Sequence, residues 1–160
     1  MLFFKAKCRY LMAGLFMALA ALAAPSAQAA EDGLMVHDAW IQAVPAAKTP
    51  AAAYFTIMNS GKSSRQLVAA ECDSFEKAEL HVSRVTNGIA TMEHVAQVDV
   101  PTKGSVKFAP GGLHVMLIGA KVPLAEGAKV DMRLVFADGT RLPVTAVVKT
   151  GGGASKGHSH

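Results

Sequence analysis

Residues 78–98 read AELHVSRVTNGIATMEHVAQV, and the Asn87-Gly88 pair at their centre decides the class of fold. Asn and Gly tolerate the positive φ angles of a type I′ turn, whose twist matches two paired antiparallel strands. With a two-residue loop there, positions summing to 175 face each other, so His81 pairs with His94 and Ser83 with Met92. Side chains alternate faces along a strand, which puts His81, Ser83, Met92 and His94 on one side of the hairpin. His81 and Met92 become diagonal neighbours, roughly 7–8 Å apart at the backbone.

The sequence on either side of the hairpin has the same character. Runs rich in Val, Ile, Ala and aromatic residues occupy 36–44, 51–59, 66–72, 78–85, 89–98, 106–108, 113–118, 130–136 and 142–148. Turn-forming stretches separate them: Asn59-Ser60-Gly61-Lys62, Pro101-Thr102-Lys103-Gly104, Pro110-Gly111-Gly112 and Asp138-Gly139-Thr140. Short strands at this spacing, without a long helical period, predict an all-β sandwich or barrel. Asp138-Gly139 predicts a second type I′ hairpin between the last two strands.

The ends of the chain differ from this core. Lys5, Lys7 and Arg9 precede an apolar run from Leu11 to Ala24, and Ala27-Gln28-Ala29 follows as a small-x-small cleavage pattern. The run is 14 residues, whereas a spanning helix needs roughly 20. Residues 1–29 are therefore expected to be a signal peptide, released by cleavage before Ala30, with no membrane span in the product. Cys8 lies ahead of the apolar run, the wrong side for a lipid-bearing cysteine. Residues 30–150 make one domain, and 151–160, dominated by Gly, Ser, Lys and His, read as a flexible tail.

Charge and cysteine content narrow the function. Three of the 16 basic residues belong to the leader, which has no acidic residue, so 13 basic remain against 12 acidic. No basic patch for nucleic acid is left. The exported domain keeps one cysteine, Cys72, which cannot form an internal bridge or a CxxC motif and reads as a small buried strand residue. Without paired cysteines, a catalytic triad context or a phosphate-binding glycine loop, no enzyme is expected.

Chemistry concentrates in His81, Met92, His114 and Met116. His114 and Met116, two residues apart, share a strand face, and the cluster forms if that strand lies near the hairpin. Thioether sulfur is soft and neutral and imidazole is intermediate, a combination that favours Cu(I) over oxygen-seeking ions; closed zinc sites take Cys and His instead. Singly, each methionine could be core filler, the reading for Met35, Met58 and Met132, and His37 reads as a surface or hydrogen-bonded histidine.

The spacing His81-x10-Met92-x21-His114-x-Met116 resembles that of the PCu(A)C family of periplasmic copper chaperones. Asp38-Ala39-Trp40-Ile41, Ala52-Ala53-Tyr54-Phe55, Asn59-Ser60-Gly61, Glu79-Leu80-His81, residues 110–117 and Phe136-Ala137-Asp138-Gly139 extend the resemblance over about residues 34–149. It implies a cupredoxin-like Greek-key β-sandwich or barrel, with one Cu(I) on His81, Met92, His114 and Met116. It further implies a periplasmic role in delivering copper for the Cu(A) centre of cytochrome c oxidase, to subunit II or an assembly factor, by a monomer. His94 is not a family ligand position and reads as exposed. His158 and His160 on the tail offer Cu(II) a secondary site. A copper buffer without a dedicated recipient needs the same residues. An electron-transfer cupredoxin would need a thiolate beside a His-and-Met loop, which Cys72 lacks.

Overall fold

The computed structural model describes residues 33–43 and 49–150. Residues 1–32, 44–48 and 151–160, among them the expected signal peptide and the candidate His158 and His160, lie outside the described residues. Ten strands follow in order: β1 Leu34–Gln42, β2 Ala51–Asn59, β3 Arg65–Glu71, β4 Phe75–Thr86 and β5 Ile89–His94, then β6 Val98–Val100, β7 Gly104–Phe108, β8 Leu113–Ala120, β9 Lys129–Phe136 and β10 Arg141–Lys149. They hydrogen-bond in the order β5-β4-β8-β2-β1-β10-β9-β3-β6, with β7 also paired to β2. Non-sequential neighbours such as β4 with β8 and β3 with β9 are Greek-key connections, and β1 with β10 is the parallel pair. The two ends of this order, β5 and β6, do not pair with each other, so the fold is an open, cupredoxin-like sandwich rather than a closed barrel. Among the described residues no helix is long and apolar enough to cross a membrane.

Period-2 alternation builds the core. On β2, Ala51, Ala53, Phe55 and Ile57 point inward; on β9, Val130, Met132, Leu134 and Phe136; on β10, Leu142, Val144, Ala146 and Val148. Phe55 and Phe108 stack across β2 and β7 with ring centroids 4.5 Å apart. With His114, Asn59 is one of two buried polar residues among the described residues. Its Nδ2 donates to the carbonyls of Ser63 (2.8 Å) and Val100 (3.2 Å), and its Oδ1 accepts from Gly61 N (2.9 Å), so the turn after β2 is tied to β6.

The β4–β5 hairpin has the predicted turn and register. Asn87 and Gly88 take φ of 53° and 78°, and His81 pairs with His94 and Ser83 with Met92. Three expectations need correction. First, the segment 89–98 is not one strand. Val95 N donates to Leu80 O and the chain then crosses to the far end of the sheet, where β6 pairs with β3. The reason is burial: β5 is exposed along its whole length, while Val98 and Val100 belong to the core. Second, Asp138-Gly139 is not a type I′ turn. Only Gly139 is left-handed (φ 88°), and the Phe136 N to Thr140 O bond closes a three-residue loop. Asp138 instead accepts from Thr140 N through its side chain (3.0 Å) and pairs with Arg65 (2.7 Å), which holds it in ordinary backbone space. Third, Met132 is core but Met35 and Met58 are not; they are 44% and 42% exposed on the outer face of β1 and β2.

Cys72 lies just past the end of β3, buried, with Sγ donating weakly to Asp131 O (3.5 Å). Burial pushes its thiol above the usual range, and thiolate is the reactive form. Iodoacetamide should therefore leave Cys72 unmodified in the native protein at pH 8 and label it after denaturation, as read by peptide mass spectrometry. Rapid native labelling would contradict its placement.

Candidate metal centre

Two strand pairings assemble the candidate ligands. The hairpin sets His81 on β4 diagonal to Met92 on β5. The second pairing is long-range: β8 runs antiparallel to β4, with His81 opposite His114 and Glu79 opposite Met116. His81, Met92, His114 and Met116 consequently share one face of three adjacent strands. The structure brings together all four. Ring centroids of His81 and His114 lie 5.9 Å apart.

Burial is graded across the cluster. His114 is 3% exposed, whereas Met92 is 52% exposed at the rim. Met116 is intermediate. Met92, His114 and Met116 line an open pocket of about 360 Å³, whose other walls include Tyr54, Ser83 and Thr49. β2 supplies part of that wall because Ala52 pairs with Met116. Tyr54 packs between Trp40 (4.5 Å between centroids) and His114 (6.4 Å), so an aromatic stack closes the buried end. Burial raises the Tyr54 phenol above its ordinary pKa, which keeps this wall neutral.

Hydrogen bonds fix which nitrogen of each imidazole is left free. The carbonyl of Gly112 only accepts, so His114 Nδ1–H donates to it (3.0 Å), leaving the Nε2 lone pair free. On His81, Nε2–H donates to Glu79 Oε2 (3.1 Å). Nδ1 of His81 is then the free atom, and it is buried without a hydrogen-bond partner. A buried polar atom left unmatched costs free energy unless something binds it. Glu79 is held below the ordinary glutamate range first by its hydrogen bond with Lys77 and next by that with His81. It remains a carboxylate, suited to orienting the ring. Metal-ligating histidines generally use their second nitrogen this way, toward a carboxylate or backbone carbonyl. Two imidazole lone pairs and two thioethers, with no anionic ligand among them, form a soft, uncharged donor set. Among the described residues, no group of three or more His, Cys, Asp or Glu side chains is arranged to hold a metal.

Other sequence candidates fall elsewhere. His94 is exposed, yet its ring meets His81 edge-on at 5.8 Å, so it flanks the cluster. His37 is exposed on β1. Cys72 packs in the core and does not line the pocket. The positioning roles of Glu79 and the Gly112 carbonyl escaped the sequence reading. A Glu two residues before His81, on the same strand face, was the available signal for the first; a backbone carbonyl leaves none.

A family model described as "Putative lipoprotein LpqE-like" matches residues 34–148, from the start of β1 to the penultimate residue of β10. This is the PCuAC family. The chain belongs to it. A relative, a putative lipoprotein of Leifsonia xyli subsp. xyli, is 34% identical over 128 residues, 79% of this chain and 76% of the relative. Among solved structures, apo-DR1885 from Deinococcus radiodurans superposes with a TM-score of 0.61 at 32% identity, covering 91% of this chain and 97% of that one. The Cu(I) form of DR1885 gives 0.57 at 30% identity, covering 77% and 84%.

Proposed function

We propose that this PCuAC protein is a periplasmic copper chaperone. It binds one Cu(I) through His81 Nδ1, His114 Nε2 and the sulfurs of Met92 and Met116, and passes it on without catalytic turnover. The observation that carries the reading is the unpartnered, buried Nδ1 of His81 opposite His114 on a face shared with two thioethers. The Cu(I)-bound relative supports the choice of ion.

The gradient of exposure suits transfer. Met92 stands at the rim, where an incoming thiolate or imidazole can displace it first, and His114 at the buried end leaves last. Neutral ligands hold Cu(I) less firmly than the thiolates of a recipient, so exchange proceeds ligand by ligand. The recipient in this reading is the Cu(A) centre of cytochrome c oxidase subunit II or a factor that assembles it. The signal-like residues 1–29 and the lipoprotein-like relatives support export in this reading. His158 and His160 add a weaker site for Cu(II).

X-ray absorption of the Cu(I) protein tests the ligand set. Both nitrogen and sulfur neighbours are expected, and a shell of nitrogen or oxygen alone would sink the assignment. Met92→Leu and Met116→Leu conserve volume, so each should change stability by less than about 1.5 kcal/mol while clearly weakening Cu(I) binding. Chelator competition and denaturant melts separate the two effects.

A further inference from the structure

Met35 and Met58 are direct partners across β1 and β2, and both face solvent. His37, two residues beyond Met35, pairs with Thr56 and is exposed on the same face. It therefore neighbours Met35 along its own strand and Met58 on the diagonal. Opposed residues in an antiparallel pair have Cβ atoms about 4.5–5.5 Å apart, and diagonal ones remain within reach of long side chains. Methionine has three rotatable side-chain bonds, so both sulfurs and one imidazole nitrogen can converge on a single point. The register shifts between His37 and Trp40, where Asp38 takes a left-handed φ of 54°. His37 is thus the last regularly paired residue before a bulge, at the open end of the methionine pair.

We propose that Met35, Met58 and His37 form a second site for a soft monovalent ion, Cu(I), on this outer face. The donors are two thioethers and one imidazole, all neutral, which is the ligand chemistry of Cu(I) rather than of Mg, Ca or Mn. The next strand, β7, places Lys107 opposite Thr56 and Ser105 opposite Met58. The ammonium of Lys107 on that face penalises a divalent ion more than a monovalent one, because Coulomb repulsion scales with the charge of the ion. Along β2, Ala52 pairs with Met116 and Met58 lies six residues further on. At about 3.3 Å per residue the two sites are about 20 Å apart, so each fills without sharing a ligand. With three exposed donors, the outer site is the weaker of the two, and it stands whether or not the inner cluster binds copper.

The test is a titration of the purified full-chain protein with Ag(I), a redox-inert monovalent d¹⁰ ion. Methionine ε-methyl groups carry ¹³C, and single Met→Leu variants assign them. The methyls of Met35 and Met58 should move together within three equivalents of Ag(I), after those of Met92 and Met116, while buried Met132 stays fixed. His37→Ala should weaken the Met35 and Met58 response at least tenfold and leave the Met92 and Met116 response unchanged. The proposal is overturned if the Met35 and Met58 methyls do not move, or if His37→Ala leaves their titration unchanged. Movement of Met35 and Met58 with Met92 and Met116 static would support the outer site and refute the inner one.

Discussion

His114→Ala is expected to hold Cu(I) at least about 100-fold more weakly than the native protein. Changing a group that merely orients a ligand typically costs 10–100-fold in metal affinity, and in the proposed site His114 supplies a donor atom itself. It is also the most buried member of the cluster and the one whose nitrogen is pre-aimed by a backbone carbonyl. Glu79→Ala provides the internal scale. It removes the acceptor from His81 Nε2–H but no donor to copper, so a loss of about tenfold is expected. Competition against a chromogenic Cu(I) chelator measures both, and circular dichroism checks that the sandwich persists. A folded His114→Ala protein with native affinity would remove His114 from the ligand set. A Glu79→Ala loss as large as that of His114→Ala would mean that the carboxylate does more than orient the ring.

The largest stability effect is expected from Leu134→Ala. Leu134 is wholly buried on β9, which runs between β10 and β3 and pairs it with Leu142 on one side and Ala70 on the other. Truncation there removes burial and opens a cavity that two flanking strands restrain from collapsing, a loss of about 2–5 kcal/mol. Val85→Ala and Ile89→Ala near the hairpin tip make the contrast. These side chains are 73% and 67% exposed, and such substitutions should stay within about 0.5 kcal/mol. Urea melts give both numbers. Equal losses at the tip and at Leu134 would mean that the hairpin is covered in solution.

The core substitution and the metal-ligand substitution act through different parts of one sheet. The inner faces of β2, β9 and β10 hold the molecule together, while the outer face of β4, β5 and β8 carries the proposed donor atoms. Neither His81 nor His114 belongs to the hydrophobic core cluster. This separation explains why the Met→Leu series should change copper affinity with little change in stability.

Some of this was legible in the residues themselves. Asn87-Gly88 selects its turn through backbone sterics that need no distant partner, and the turn then dictates every pairing of the hairpin, His81 with His94 included. Alternation told which side chains share a strand face, and softness of the donors told which ion they suit. The family resemblance added that His114 and Met116 join the hairpin, which spacing alone does not show. Other features depended on the whole sheet. An alternating strand states that two faces differ, but which one becomes the interior is decided by the layer that packs on it. Met35 and Met58 therefore read as core and emerged on the outside. Residues 89–98 read as one strand because nothing local marks the point where Val98 and Val100 gain more from the core than from the hairpin edge. Asp138 could have supported a type I′ turn, yet Arg65, distant in sequence, holds it in another. The local chemistry of the chain thus determined the hairpin and its register. Only the tertiary structure decided that β8 lies beside β4, which nitrogen of each histidine is free, and which face meets water. Those outcomes rest on burial and hydrogen bonds made between residues far apart in the chain.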